Sequence, residues 1–387
     1  MPPTVLVLHR GQEVWARQIL RSVRKRARLA HLPTASFAGS TRAPSSLTGM
    51  VSAVCLATRR AARDPTLATE IATLQANGVV VVPVVRAPDV FSDAVLPALL
   101  APTQGIRWTG SGHEVADYLL RAVGLAEEDR RVFISYGRRD TDAIARQLHT
   151  RLTERGFDVF LDRFSLKPGD DWSLRLDAEL ADKSFVLVLE SDAAAESRWV
   201  QHEVVYALKN HLGLKVFSLP GHRSDRLIAA VPEAFREYVP EAQLVGTGSK
   251  RRLRAAELER IVSAVEIAHD EALVRRRSYL LLSAQEMVSD AGWRVLAQPD
   301  WSFLAERDPD RREFVRISPR PPRPQDLRRL DRSRRDFSAG GVVPDGHLVH
   351  ECAALDPAVG DLLAWIAADR GLSTPALESI TSALDTP

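Results

Sequence analysis

The sequence predicts an α/β protein built on parallel sheets and divided into more than one domain. Three observations carry this. Short apolar runs such as TVLVLH (residues 4–9) and VSAVCLAT (residues 51–58) alternate with helix-like segments. VVVVPVV (residues 79–85) is apolar without alternation, which marks a strand buried on both faces. The same alternation restarts after the charged stretch GLAEEDRR (residues 124–131). Strand–helix alternation of this kind builds a parallel sheet with helices on both sides.

Taken in order, TVLVLH is a first strand and not a leader peptide, because no cationic segment precedes a long apolar run. Val14, Ile19, Leu20 and Val23 then recur at helical spacing, beside Arg21, Arg24, Lys25, Arg26 and Arg28. That basic face is read as solvated. A helix is expected from Asp64-Pro65, with the aspartate as N-cap and proline at the first helical position, stopping at Asn77-Gly78. Past the first boundary, VFISYG is a strand, and Asp140 or Thr141 caps a helix carrying Ile144, Leu148 and Leu152. FDVFLD, SFVLVLE and KVFSLP supply further strands, and a helix over residues 253–272 leads to a second boundary at VRRRS. Residues 278–387 differ: a helix ending at Gly292, three strands (WRVLAQ, FLAER, EFVRIS), an RPPRP turn, an arginine-rich helix, a short strand GGVV and two C-terminal helices form a mixed sheet. The expected domains are therefore 1–125, 129–272 and 278–387.

A chain of 387 residues with 45% hydrophobic and 26% charged residues has globular composition, and a net charge of +2 points to neither nucleic acid nor membrane at the whole-chain level. No apolar segment approaches the length of a membrane helix. Cys55 and Cys352 have no metal-ligand spacing and form no disulfide framework, so a reducing cytoplasm is expected. There is no phosphate-cradling glycine loop, nucleophile elbow or Cys/His cluster.

The chemistry is carried by SRWVQHEVVYAL (residues 197–208). Trp199 and Glu203 are four residues apart and so share one helix face. Out of context such a pair reads as a core indole and a solvated acid. Its surroundings change that reading. VFISYGRRD, FDVFLDRFSLKPGDDW and FVLVLESDAAAESRWVQHEV occur in this order, and from Arg131 over about 140 residues the sequence resembles a TIR (Toll/interleukin-1 receptor) domain. The resemblance implies a flavodoxin-like parallel sheet. In members that cleave NAD+, a glutamate four residues after a tryptophan is catalytic, here Glu203 after Trp199. Ser135, Tyr136, Arg138, Arg139 and Phe164 are implied about the substrate. A buried carboxylate can stabilise the positive charge that develops on ribose as nicotinamide leaves, and an indole offers a π face to the cationic ring. His202 projects about 100° away from Glu203 around the helix and is read as a bystander.

DRFSLKPGDD (residues 162–171) resembles the family's BB loop, which implies TIR–TIR assembly through Phe164, Leu166, Lys167, Pro168 and Gly169. Glu190 departs from the family pattern, and is read as a ribose contact or a surface residue. Residues 1–125 look like a degenerate copy of the same fold, in which Glu70 follows Thr66 instead of a tryptophan; an unrelated flavodoxin-like domain is the other reading. Residues 278–387 weakly resemble the restriction-endonuclease-like fold. Arg316-Ile317-Ser318 stands where E-x-K would be, and Phe303 near the place of the acid, so no hydrolytic metal site can be assembled. A regulatory protein or a nucleic acid is the partner expected there. NAD+ is expected as a substrate, with no bound cofactor and no metal, and activity as a gated NAD+ glycohydrolase of bacterial antiviral immunity. The competing expectation is a non-enzymatic TIR scaffold.

Overall fold

The computed structural model describes residues 4–29, 38–41, 51–77, 79–86, 91–92, 94–101, 103, 105–108, 112–123, 129–161, 172–220, 228, 230–298, 301–307, 311–335, 337–338, 342–351, 357–368 and 370–385. The expected assembly loop, with Phe164, Leu166, Lys167, Pro168 and Gly169, lies outside them, as does Cys352.

The first sheet is formed by β1 (Thr4–Leu8), β2 (Ala38–Ser40), β3 (Val51–Leu56), β4 (Val81–Arg86) and β5 (Ile106–Trp108), with helices α1 (Glu13–Leu29), α2 (Arg59–Ala62), α3 (Pro65–Ala76) and α4 (His113–Ala122). Its order is β2-β1-β3-β4-β5, parallel throughout. One apolar layer joins the sheet to α1 and α4, and another joins it to α2 and α3. Asp64 caps α3 as expected, accepting from Leu67 N–H at 2.8 Å with Pro65 behind it. On α1 the apolar stripe differs by one residue from the expected one. Val14 faces solvent and Trp15 is buried, edge-on to Trp108 at 5.6 Å, because the larger side chain removes more apolar area from water. Cys55 is fully buried in the second layer, and burial pushes its thiol up to about 12.

The second sheet repeats the pattern. It contains β6 (Arg131–Tyr136), β7 (Asp158–Leu161), β8 (Phe185–Glu190), β9 (Gly213–Ser218) and β10 (Arg236–Tyr238). Helices α5 (Asp142–Glu154), α6 (Trp172–Lys183), α7 (Asp192–Glu196) and α8 (Arg198–Lys209) connect them, and a hairpin of β11 (Leu244–Val245) and β12 (Arg252–Leu253) leads into α9 (Ala255–Asp290). The order β10-β9-β8-β6-β7 is again parallel throughout. Counted along the chain, both sheets follow the order 2-1-3-4-5 of the flavodoxin-like class. That shared order assigns residues 4–123 to the class and does not make them a TIR domain. β6 and β8, at the centre, are buried along their whole length between α5 and α9 on one face and α6 and α8 on the other.

The third sheet is mixed. β13 (Arg294–Gln298), β14 (Ser302–Arg307) and β15 (Arg311–Ile317) form an antiparallel meander. β16 (Asp345–Val349) and β17 (Leu372–Ser373) then pair parallel, around α10 (Pro324–Arg335), α11 (Pro357–Ala367) and α12 (Ile380–Asp385). The strand that joins the meander is DGHLV; of the expected GGVV, Gly340 and Gly341 lie outside the described residues. Its polar first half hides it from apolar patterning, and a Cβ at Gly346 would stand 3.0 Å from the side chains of Arg334 and Leu372, so a larger residue would press on both. Phe303 is fully buried opposite Val315.

VRRRS does not interrupt the chain. α9 runs through it as one helix of 36 residues, because arginine is a good helix former and two of the three arginines at the join, Arg276 and Arg277, are buried with partners. Arg276 donates to Asn210 O at 2.6 Å and pairs with Glu351 at 2.8 Å. Arg277 pairs with Asp129 at 2.6 Å and lies 6.0 Å from the Trp301 ring. The RPPRP turn adds Arg323 on Asp182 at 2.6 Å, and just before it Pro319 O accepts from Ser184 Oγ at 3.2 Å. Among the described residues, no helix is long and apolar enough to cross a membrane.

Candidate active site

The site forms where β6 ends beneath the start of α8. Ser197 caps α8 by accepting from Val200 N–H at 3.4 Å, and the helix then buries Val200, Glu203, Val204 and Ala207 as one stripe against the sheet. Glu203 therefore occupies a position that the helical period reserves for an apolar residue. It is 4% exposed and accepts a hydrogen bond from Ser135 Oγ on β6. Placing a carboxylate there costs desolvation, which folding alone gives no reason to bear. Above it opens a cavity of about 510 Å³ lined by Ser135, Tyr136, Arg138, Arg139, Trp199 and Glu203 among others.

Six of the expected site residues thus meet at one cavity, and Phe164 lies outside the described residues. Their environments differ. Trp199 is a lip and not an interior wall: it is 38% exposed, and the Arg198 guanidinium lies 5.2 Å from its ring. Arg139 points outward and is paired with Glu196 at 2.6 Å, and Arg138 lines the same cavity. Arg138 also borders a neighbouring groove of about 1250 Å³ along α5.

Gly137 decides the shape of the rim. A Cβ there would stand 2.6 Å from Ala194 N and 2.8 Å from Ala193 Cβ, so the loop after β6 touches the start of α7. Asp140 fastens the same contact, accepting from Ser191 Oγ at 2.9 Å and Ala193 N–H at 3.0 Å. It does not cap α5; the tertiary partners of α7 outcompete the local ones. Gly137→Val is expected to push this loop off α7, costing about 1–3 kcal/mol of stability. Thermal melts and substrate titration will check this; an unchanged melt and unchanged KM would show that the contact is dispensable.

Two other expectations are settled by burial. Glu190 is neither a ribose contact nor a surface residue. It is fully buried, accepting from Ile228 N–H at 2.8 Å and Arg236 Nε at 3.2 Å, because the chain beyond β9 folds back over the end of β8. His202 is exposed and bonded to Asp177 on α6 at 2.8 Å, away from the cavity. In the first unit Glu70 is drawn to Arg10, 3.4 Å away, which also holds Asp64 at 3.0 Å. Sequence reasoning missed Arg198, which could have been found as a cation one residue before the indole, and Asp140, which no local pattern betrays.

The parallel sheet and the cavity at the carboxyl ends of its strands define the class: residues 132–228 match the family model for the TIR domain, and the second unit is a TIR domain. Its curated relatives bear out that assignment. The chain is 33% identical over 72 residues to "2' cyclic ADP-D-ribose synthase BtTIR" of Bacteroides thetaiotaomicron, covering 19% of this chain and 25% of that protein. It is 32% identical over 79 residues to "Probable 2' cyclic ADP-D-ribose synthase TcpB" of Brucella abortus (strain 2308), covering 20% and 32%. The chain thus spans about a quarter to a third of the length of these relatives. Among solved structures, the TIR domains of the activated Roq1 resistosome directly recognizing the pathogen effector XopQ share 28% identity over 24% of this chain and 58% of that one, with a TM-score of 0.23. At that score the superposition carries no weight.

Proposed function

We propose that the TIR domain is an NAD+ glycohydrolase that breaks the bond between nicotinamide and ribose. One observation carries the reading: Glu203, buried in an otherwise apolar helix stripe, borders a cavity and accepts a hydrogen bond from the Ser135 hydroxyl. Nicotinamide departs with the bonding electron pair, and positive charge builds on the ribose. The Glu203 carboxylate stabilises that charge in a site shielded from water. Trp199 holds the flat nicotinamide ring at the lip, and Arg138 takes the diphosphate. Water at the anomeric carbon then yields ADP-ribose and a proton; a hydroxyl of the same molecule yields a cyclic product. The names of the relatives favour the cyclic outcome. NAD+ is consumed here as a substrate and not held as a cofactor.

We further infer a gated effector of bacterial antiviral immunity, acting in the cytoplasm and assembling through residues 162–171 of neighbouring copies. The gating part is supported by α9, which is shared by the TIR sheet and the third sheet. Purified protein incubated with NAD+ at high protein concentration, with products separated by chromatography, tests the chemistry. Nicotinamide with linear or cyclic ADP-ribose is the expected result. Intact NAD+, together with concentration-dependent self-association, would leave the scaffold as the better reading.

A further inference from the structure

Along α10 the sequence mixes arginines with aspartates, and the fold separates them. Asp326 accepts from Arg320 Nη1 at 2.8 Å and from Arg323 N–H at 2.9 Å. Asp331 accepts from Arg334 Nε at 3.0 Å and Arg335 Nη2 at 2.8 Å. Arg320 and Arg334 are buried, and Arg323 reaches across to Asp182. The acids are thus consumed by structural arginines. Arg328 and Arg332, one helical turn apart, remain exposed, and among the described residues neither has an ion pair.

These two, with Arg335, form one wall of a groove of about 360 Å³ between α10 and α11. Arg370 forms the opposite wall, also exposed and also without an ion pair among the described residues. The backbone at Arg370 and Gly371 is held by hydrogen bonds from two neighbouring elements. Buried Arg334 donates to Arg370 O at 2.6 Å, Gly371 takes a left-handed φ of +59°, and Gly346 N–H donates to Gly371 O at 2.8 Å. Leu327 and Ile366 give the groove an apolar floor. Asp331 is the one carboxylate among the described lining residues, and it is already shared by two arginines. Beyond the lining, Trp365, next in sequence to the lining residue Ile366, is 75% exposed on α11, with Leu362 exposed one turn before it.

We propose that this groove binds single-stranded nucleic acid. Guanidinium forks take phosphate oxygens bidentately, and Arg328 and Arg332, about 6 Å apart along the helix, each have room for a separate phosphate. Unstacked bases have flat faces that suit an exposed indole and an apolar floor, whereas a duplex keeps its bases stacked away from such a surface. An acidic peptide would satisfy the arginines and leave Trp365 unused. The proposal concerns the third unit alone and does not depend on NAD+ cleavage.

Fluorescence anisotropy of the full-length chain tests it. At about 50 mM salt, labelled oligo(dT) or oligo(rU) of about 20 nucleotides is expected to bind, weakening steeply as salt rises. The stronger of the two names the preferred sugar. R328A/R332A is expected to weaken binding by at least about tenfold and to flatten the salt slope, with an unchanged melting curve. R24A/K25A removes the same charge from the exposed face of α1 and is expected to leave affinity as it was. Four results would overturn the proposal: no binding by the wild type, equal loss in the α1 control, a duplex of the same length binding as tightly, or polyglutamate displacing the strand as well as unlabelled oligonucleotide does.

Discussion

Glu203→Gln is expected to abolish release of nicotinamide from NAD+, lowering kcat by at least about a hundredfold with little change in KM. The amide is isosteric and keeps the contact with Ser135, but it carries no charge to set against the developing cation. Because the carboxylate is buried in an apolar stripe, its removal is expected to leave the melting temperature unchanged or raise it, which separates a chemical effect from misfolding. Glu70→Gln is the internal control. Glu70 is held by Arg10, and its loss is expected to leave turnover at the wild-type level. Wild-type turnover by Glu203→Gln would remove Glu203 from the mechanism, and a large loss in Glu70→Gln would reinstate the first unit as a site.

The largest effect on stability is expected from Arg277→Met. Arg277 and Asp129 form a buried pair at 2.6 Å, and removing the arginine leaves a buried carboxylate without the guanidinium bonded to it, at a cost of about 3–5 kcal/mol. Asp129→Asn combined with Arg277→Met is expected to recover much of that loss, because neither charge is then stranded. The pair also predicts a pH dependence. Burial pushes the Asp129 carboxyl up, but Arg277, with Arg320 and Arg329, outweighs burial and brings it down to about 2. A carboxyl lowered in the folded state contributes stability above its ordinary value. That contribution is lost as pH falls from about 4 toward about 2. Urea melts of wild type and Arg277→Met through that range will check the sign. If the gap between the two proteins stays constant with pH, the ionised pair is not its source.

How much of this was visible beforehand depends on the range of the interactions. The caps of α3, the buried strands β6 and β8 and the pairing of Trp199 with Glu203 on one helix face are local, and short patterns announce them. Asp140 shows where such patterns fail: beside a helix start it resembles an N-cap, yet its oxygens reach Ser191 and Ala193 about fifty residues away. Glu190 resembled a pocket residue because it ends a strand at the right edge, and only the return of Arg236 over it shows that it is sealed. VRRRS resembled a linker because its charges suggested solvent; folded, it lies at the junction of two units, with Arg276 and Arg277 buried.

The α/β class, the TIR domain and the residue pair on which catalysis is proposed can all be read along the chain, because hydrophobic period and motif spacing are written within a few turns of it. Only the tertiary structure decided which charges are structural and which face solvent. It joined the TIR sheet and the third sheet through α9, closed Glu190 away from the cavity, and set the acids of α10 against its buried arginines. The α9 junction depends on Arg277 meeting Asp129, 148 residues away, and the closure of Glu190 on Arg236, 46 residues away; along α10 the partners are close in sequence, and burial decides which of its charges are structural.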